Sequence, residues 1–260
     1  MKKAAPWLFL LILAGGFAAW YLSQRPPPEQ HPSVMTPAEL PETTLPEQPT
    51  FPVVSGPEEA VPEPEPLPSL AQSDAAIAEA LSGIVGAERL GSVFILEQMI
   101  SRFVSLVDSL DSRQVAPLVM PVRPPAGKFL VQGEDEAVMH PDNTLRYEPY
   151  FGIVEAADTR DVAALYRKYY PLFQQAYEEL GYRGRYFNDR LVAIIDHLLA
   201  TPATPPVLEL VKSESIYEFA DQRLEALSAG QKILLRMGAE KRRVVAQKLQ
   251  EFRDLLTGGA

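Results

Sequence analysis

The sequence DTRDVAALYRKYYPLFQQAYEELG, residues 158–181, decides the fold class of this chain. Its first four residues resemble a helix-capping box, and Gly181 is a typical helix stop. We therefore expect residues 162–180 to form one long helix, which Pro171 should kink. Aromatic residues recur along it at spacings of four, three and four, which places their side chains on one face: Tyr166, Tyr170, Phe173 and Tyr177. Such a stripe is more typical of a core than of a ligand site.

Similar signals on both sides of this segment predict further helices. Apolar residues recur at helical spacing over residues 73–84, 92–110, 188–200, 228–237 and 239–256, and helices should resume near residue 143. Residues 128–131 and 137–140 flank a polar, glycine-containing pentapeptide, which indicates a short hairpin. The predicted fold class is thus mainly α, a multi-helix globular domain with a small β-hairpin over residues 71–257.

The first 25 residues are predicted to be a transmembrane anchor. Residues 4–22 carry no charge and, as a helix, would span about 28 Å, close to the roughly 30 Å of a bilayer's hydrocarbon core. Lys2 and Lys3 precede this stretch, so the positive-inside rule places the amino terminus in the cytoplasm and the rest of the chain outside. A cleaved signal peptide is the alternative, because the small residues of AGGFAA (14–19) follow a short apolar run.

A proline-rich, acidic segment follows the anchor. Residues 26–68 hold 14 of the 25 prolines, and proline fixes φ and lacks the N–H that helices and sheets need. We therefore expect residues 26–70 to be a disordered linker with polyproline II character. It is either a spacer that holds the domain away from the membrane or a passive tether.

Three blocks of the domain resemble a known family. They are YRKYYPLFQQAYEELGY (166–182), YFNDRL (186–191) with DHLL (196–199), and YEFAD (217–221) leading into LSAGQK (227–232) and LRMG (235–238). Together they are similar to an uncharacterised family of bacterial membrane-anchored proteins, domain of unknown function DUF3014, over roughly residues 70–256. The resemblance implies a bacterial envelope location, hence a single-pass inner-membrane protein with a periplasmic domain. It carries no catalytic residues.

Composition and motifs argue against several chemistries. A net charge of −10 without a basic block makes nucleic acid an unfavourable partner, and the absence of cysteine excludes disulfides and thiolate metal sites. His140 with Asp142 supplies only two metal ligands, and Asp196 and His197, adjacent on a helix, point about 100° apart and cannot form a relay. No phosphate loop or nucleophile elbow occurs. We therefore expect no metal, no cofactor and no enzymatic activity.

The loop between the two central helices is the candidate binding site. Tyrosine rings stack on sugars and guanidinium groups bind carboxylates, so this loop would suit cell-wall glycan or an acidic partner; its candidate residues are Tyr182, Arg183, Arg185 and Tyr186. The structural alternative is that Arg185 and Arg190 pair with Asp189 or with Glu178 and Glu179 while the rings pack at the helix corner.

Three functions remain open from the sequence. The leading hypothesis is an interaction or scaffolding module that contacts another envelope protein. The alternatives are a module that binds peptidoglycan or another glycan through the tyrosine–arginine loop, and an unrecognised envelope hydrolase. The hydrolase would need convergent acidic groups in a deep pocket, and the glycan module would need the loop exposed beside a groove.

Overall fold

The structure is a computed structural model that describes residues 48–53, 66–133, 137–203, 205, 207–213 and 216–258. Over these residues the chain forms nine α-helices: α1 (Asp74–Val85), α2 (Ala87–Val93), α3 (Met99–Ser109), α4 (Glu148–Ala156), α5 (Thr159–Glu179), α6 (Phe187–Leu199), α7 (Gln222–Glu225), α8 (Ala229–Arg236) and α9 (Ala239–Thr257). Short 3-10 turns cover Leu70–Gln72, Pro117–Val119 and Pro141–Tyr147. The mainly helical class is confirmed.

Four helices, α3, α5, α6 and α9, pack together at the centre of the domain. Each presents an apolar face to the others, and the faces meet in a cluster of fully buried rings: Phe103, Tyr166, Phe173, Phe187 and Phe252. Phe173 and Phe187 stack with ring centroids 6.1 Å apart, and Phe103 meets both edge-on at 5.6 and 6.2 Å. Offset and edge-to-face pairs of this kind stabilise a core beyond the burial of their area.

The long helix predicted after Asp158 is confirmed, and it begins three residues earlier than predicted, at Thr159. Asp158 lies at its amino-terminal cap, where the carboxylate accepts a hydrogen bond from the Arg160 N–H at 2.8 Å. The helix α5 runs on through Pro171 without a break and ends before Gly181, which has φ +107°. Tyr166, Phe173 and Tyr177 are buried and Tyr170 is half-buried, so the aromatic stripe faces the core.

The helix predicted over residues 92–110 is wrong at its start. The structure ends α2 at Val93 and begins α3 at Met99, and the residues between take part in tertiary bonds instead: Ile95 donates to the Pro121 carbonyl. Gln98 has φ +54°, and its N–H and that of Met99 donate to the two carboxylate oxygens of Asp74. These bonds to residues more than twenty positions away outweigh local helix propensity.

Two small antiparallel hairpins complete the fold. The predicted one is confirmed as β1 (Val131–Gln132) and β2 (Val138–Met139), with Val131 opposite Met139. A second hairpin, β3 (Leu210–Ser213) and β4 (Ile216–Phe219), was not predicted. A bridge between Val138 and Glu209 joins the two hairpins, and a separate apolar cluster lies beneath them. This cluster consists of Leu208, Leu210, Phe219 and Leu235.

Part of the segment predicted as a disordered linker lies on the domain. Residues 48–53 hydrogen-bond to the amino-terminal turn of α6, and Phe51 and Val53 pack against the core. The rest of the predicted linker before Pro66, and the predicted anchor over residues 1–25, lie outside the described residues. No helix within the described ranges has the length and apolarity to cross a bilayer.

Candidate functional site

The predicted tyrosine–arginine loop forms the corner between α5 and α6. The Tyr182 ring stacks on Tyr177 with centroids 4.6 Å apart, and its hydroxyl donates to Asp108 at 2.9 Å. This hydrogen bond, together with partial burial, raises the pKa of Tyr182. Arg185 lies over the same ring at 5.9 Å. One face of Tyr182 is therefore already in contact with a neighbouring ring, and the structure brings Tyr182 and Arg185 together.

The other two loop residues take no part in these ring contacts. Arg183 is exposed and forms no ion pair with any described residue. Tyr186 is half-buried at the cap position of α6, and its carbonyl accepts the Arg190 N–H at 3.3 Å. Arg183 thus remains available to an external acidic group.

The ion pairs at this corner differ from those expected. Arg190 pairs with Asp108 at 3.0 Å and with Asp111 at 2.8 Å, and so ties the start of α6 to the end of α3. It does not pair with Asp189, whose carboxylate is turned toward another part of the chain. The ring-packing half of the structural alternative fits what is observed at Tyr182.

A clamp for an extended peptide, formed by Asn188 and Asp189, lies beside this loop. The two Asp189 oxygens accept the N–H groups of Thr50 and Phe51 at 2.9 and 2.8 Å. The Asn188 side-chain amide donates to the Phe51 carbonyl at 2.8 Å. Two adjacent residues thus bind three backbone groups of Thr50 and Phe51, without use of the Thr50 side chain. We call these two residues the clamp.

The clamp is held in place from the core side. Asn188 is fully buried, and its Oδ1 accepts the Tyr166 hydroxyl at 3.1 Å. Burial raises the pKa of Tyr166 well above its ordinary value, so the hydroxyl remains a donor. Because Tyr166 occupies one end of the Asn188 amide, the other end is oriented as a donor toward Phe51.

A glutamine completes the support at the start of α6. Gln174 of α5 accepts the Phe187 N–H at 2.9 Å and the Tyr170 hydroxyl at 3.2 Å, and donates to the Arg185 carbonyl at 2.7 Å. Burial raises the pKa of Tyr170 to about 12, which keeps that hydroxyl protonated as well. The loop and the clamp therefore share one hydrogen-bonded framework.

The electrostatics of the clamp follow from its position in the helix. Asp189 is the third residue of α6, where the positive end of the helix dipole favours an anionic side chain. The same arrangement occurs at α1, where Asp74 at the start of the helix accepts the N–H groups of residues 98 and 99. A carboxylate in the first turn of a helix therefore binds a distant backbone twice in this fold.

Sequence reasoning missed the clamp. The motif YFNDRL was noted, but Asn188 and Asp189 read equally well as the first turn of a helix, where such residues are common. The partner lies 138 positions away in a proline-rich stretch, so no local spacing connects the two. The available signal was Phe51, because it is the only phenylalanine, tyrosine or tryptophan between residues 26 and 68.

Asp196 and His197, which are adjacent on α6, make separate contacts. Asp196 pairs with Arg253, while His197 Nε2 lies 2.9 Å from the Ser228 Oγ. That hydroxyl also accepts the Gln231 N–H in a capping box, and Ser228 is only 6% exposed, so the contact fastens α6 to the start of α8. Over the described residues, no group of three possible metal ligands occurs.

A shallow groove of about 420 Å³ lies between α6, α8 and α9. Its described lining is apolar apart from a threonine and two arginines, Arg242 and Arg243, and includes no carboxylate. The convergent acidic groups that glycoside hydrolysis needs are therefore not found in this groove.

Comparison with known proteins places the chain in a family. The family model described as protein of unknown function (DUF3014) matches residues 99–253, which include the loop and the clamp, and the chain belongs to this family. No curated protein and no solved structure matches the chain.

Proposed function

We propose that this member of the DUF3014 family is an interaction module of the bacterial envelope. In this proposal residues 1–25 anchor the chain in the inner membrane with the amino terminus in the cytoplasm. Residues 26–70 lead to the helical domain on the periplasmic side, where it binds another envelope protein.

The observation that carries the proposal is the segment bound at the clamp. The domain already holds a stretch of polypeptide that is remote in sequence, through two N–H groups and one carbonyl. Protein modules that recognise extended peptides obtain their affinity from main-chain hydrogen bonds of this kind and their specificity from side-chain pockets. Phe51, packed partly into the core beside the clamp, supplies such a side chain.

The two alternatives receive less support. A glycan needs an open aromatic face, and the Tyr182 ring is stacked on Tyr177 and lies beneath Arg185. Exposed Arg183 and half-buried Tyr186 are the features that still favour a glycan. A hydrolase needs convergent carboxylates, and the aspartates at this corner are bound by Arg190 (Asp108 and Asp111) or by backbone N–H groups (Asp189).

Crosslinking of the intact chain in cells, followed by purification from membranes and mass spectrometry, tests the proposal. The loop variant Arg183→Ala/Arg185→Ala is compared with Arg89→Ala/Arg160→Ala, which removes the same charge from exposed positions away from the loop. A reproducible envelope protein supports the interaction module, and its loss in the loop variant alone places the interface at that corner. Capture of muropeptides without a protein would favour the glycan alternative. Capture of neither would refute stable binding.

A further inference from the structure

We propose that the clamp is a receptor for extended peptides of the form Pro-Xaa-aromatic-Pro, and that residues 48–53 are its resident, displaceable occupant. This inference rests on the proposed function, because it names the chemistry of the partner that the interaction module would bind.

The donors of the bound segment match the clamp in number. Proline has no backbone N–H, so between Pro49 and Pro52 the chain offers only the N–H groups of Thr50 and Phe51. Both donate to Asp189, one to each oxygen. A peptide with this proline spacing leaves no backbone donor unsatisfied at the clamp, whereas other sequences would bring additional N–H groups that need partners.

The burial of the side chains in the bound segment indicates which peptide positions the site selects. Phe51 is half-buried against the core, so its ring is recognised by shape. Thr50 is exposed, so its side chain is not selected. The two prolines limit the conformational freedom of the free peptide, which reduces the entropy lost on binding. The ligand class is therefore an aromatic residue between a variable residue and a proline, with a second proline before the variable residue.

The occupant belongs to the same chain as the clamp and binds it through few contacts. The described part of the domain makes three hydrogen bonds to its backbone atoms, and any peptide of the same class can make them. The clamp lies inside the family match at residues 99–253, and the occupant lies outside it. Twelve residues separate Val53 from Pro66, so the occupant binds the clamp within one chain, at an effective concentration of order millimolar. Against a free peptide with a Kd of about 0.1 mM, such an occupant weakens binding roughly tenfold.

Peptide binding to the full-length chain tests the inference. The probe is a fluorescein-labelled peptide of residues 47–54, Glu-Gln-Pro-Thr-Phe-Pro-Val-Val, followed by fluorescence anisotropy. Phe51→Ala in the chain should empty the site and tighten binding of the probe about tenfold relative to the wild type. Adding Asp189→Ala should abolish that gain, and a probe with alanine in place of phenylalanine should bind neither variant. Arg160→Ala serves as the matched control and should leave the affinity unchanged.

Several outcomes would overturn the inference. They are equal affinity of the wild type and the Phe51→Ala chain, or binding that survives Asp189→Ala. Asp189→Asn, which keeps the shape but leaves one acceptor oxygen, should give an intermediate loss; unaltered binding would count against the clamp. The circular dichroism spectrum of each variant shows that it is folded.

The two proposals fail in different ways. Specific probe binding without a protein partner in the crosslinking experiment would refute the interaction module but leave the receptor intact. A partner captured equally well by wild-type and Asp189→Ala chains would refute the receptor alone. Light scattering by the purified chain distinguishes two sources of the peptide ligand. If the chain forms dimers that Asp189→Ala disrupts, the ligand is a segment of a second copy of this chain. If the chain is a monomer, the ligand belongs to a different protein.

Discussion

Replacement of Gly230 by alanine should destabilise this domain, although the same change usually stabilises a helix. Gly230 is the second residue of α8, and its N–H donates to the Leu110 carbonyl at the end of α3 at 3.0 Å. A Cβ at this position would lie 2.6 Å from Leu198 Cδ2 and 3.0 Å from the Leu110 oxygen. The leucine side chain can rotate away, but the carbonyl is backbone and also the partner of the hydrogen bond.

The change in the free energy of unfolding is the balance of one favourable and two unfavourable contributions. Alanine gains about 0.5–1 kcal/mol over glycine from helix propensity. Overpacking a filled core costs about 1–3 kcal/mol, and lengthening the hydrogen bond to Leu110 costs up to about 1 kcal/mol more. We expect Gly230→Ala to lower the free energy of unfolding by about 1–3 kcal/mol.

Urea unfolding followed by circular dichroism measures this change, and Gly152→Ala is the matched control. Gly152 lies in the middle of α4, and an added Cβ there would meet nothing within 4 Å. The control should therefore be neutral or gain up to about 1 kcal/mol. If Gly230→Ala were as stable as Gly152→Ala, the close approach of α8 to α3 would not exist as described.

Three further predictions concern the helix corner and the location of the domain. Arg190→Ala should cost about 1–3 kcal/mol of stability in urea unfolding, since Asp108 and Asp111 lose their shared partner, and an unchanged midpoint would refute that role. Tyr182→Phe should weaken the dependence of the unfolding free energy on pH. Because the pKa of Tyr182 is raised in the folded state, the stability that its protonated hydroxyl contributes is complete below about pH 10 and is lost as the pH rises through the folded-state pKa. The wild type should therefore lose more stability above about pH 10 than the variant. Alkaline phosphatase needs an oxidising compartment to form its disulfides, so a fusion of this enzyme after residue 258 should be active if the domain is exported. Removal of residues 1–25 should abolish the activity. An active truncated fusion would contradict the proposed anchor.

The sequence correctly predicted those structural features that depend on contacts between residues close together in the chain. The cap at Asp158, the stop at Gly181 and the hairpin around Val131 and Met139 all form from groups within a few residues of one another. The break before Met99 was not predictable in this way, because its cause is the Asp74 carboxylate, 25 positions earlier. Apolar periodicity continues across the break and so predicts an uninterrupted helix.

At the candidate site, too, the sequence predicted local features but not contacts between distant residues. The tyrosine–arginine loop was found because its unusual residues are consecutive, and the structure places it at the expected corner. The partners of Arg190 were not found, because Asp108 and Asp111 reach it only through the packing of α3 against α6. The clamp depends on a contact 138 positions long, which no periodicity or spacing reports.

The bound segment also affects where this protein can be cut. A fragment that begins at residue 71 lacks residues 48–53 and with them the groups that satisfy Asn188 and Asp189. It also lacks Leu67 and Leu70, which pack against the core. Fully buried Asn188, held on its inner side by Tyr166, would face solvent through the vacated site. The clamp and the segment that satisfies it are therefore discontinuous in sequence, and an expression fragment that begins at or before residue 48 keeps both.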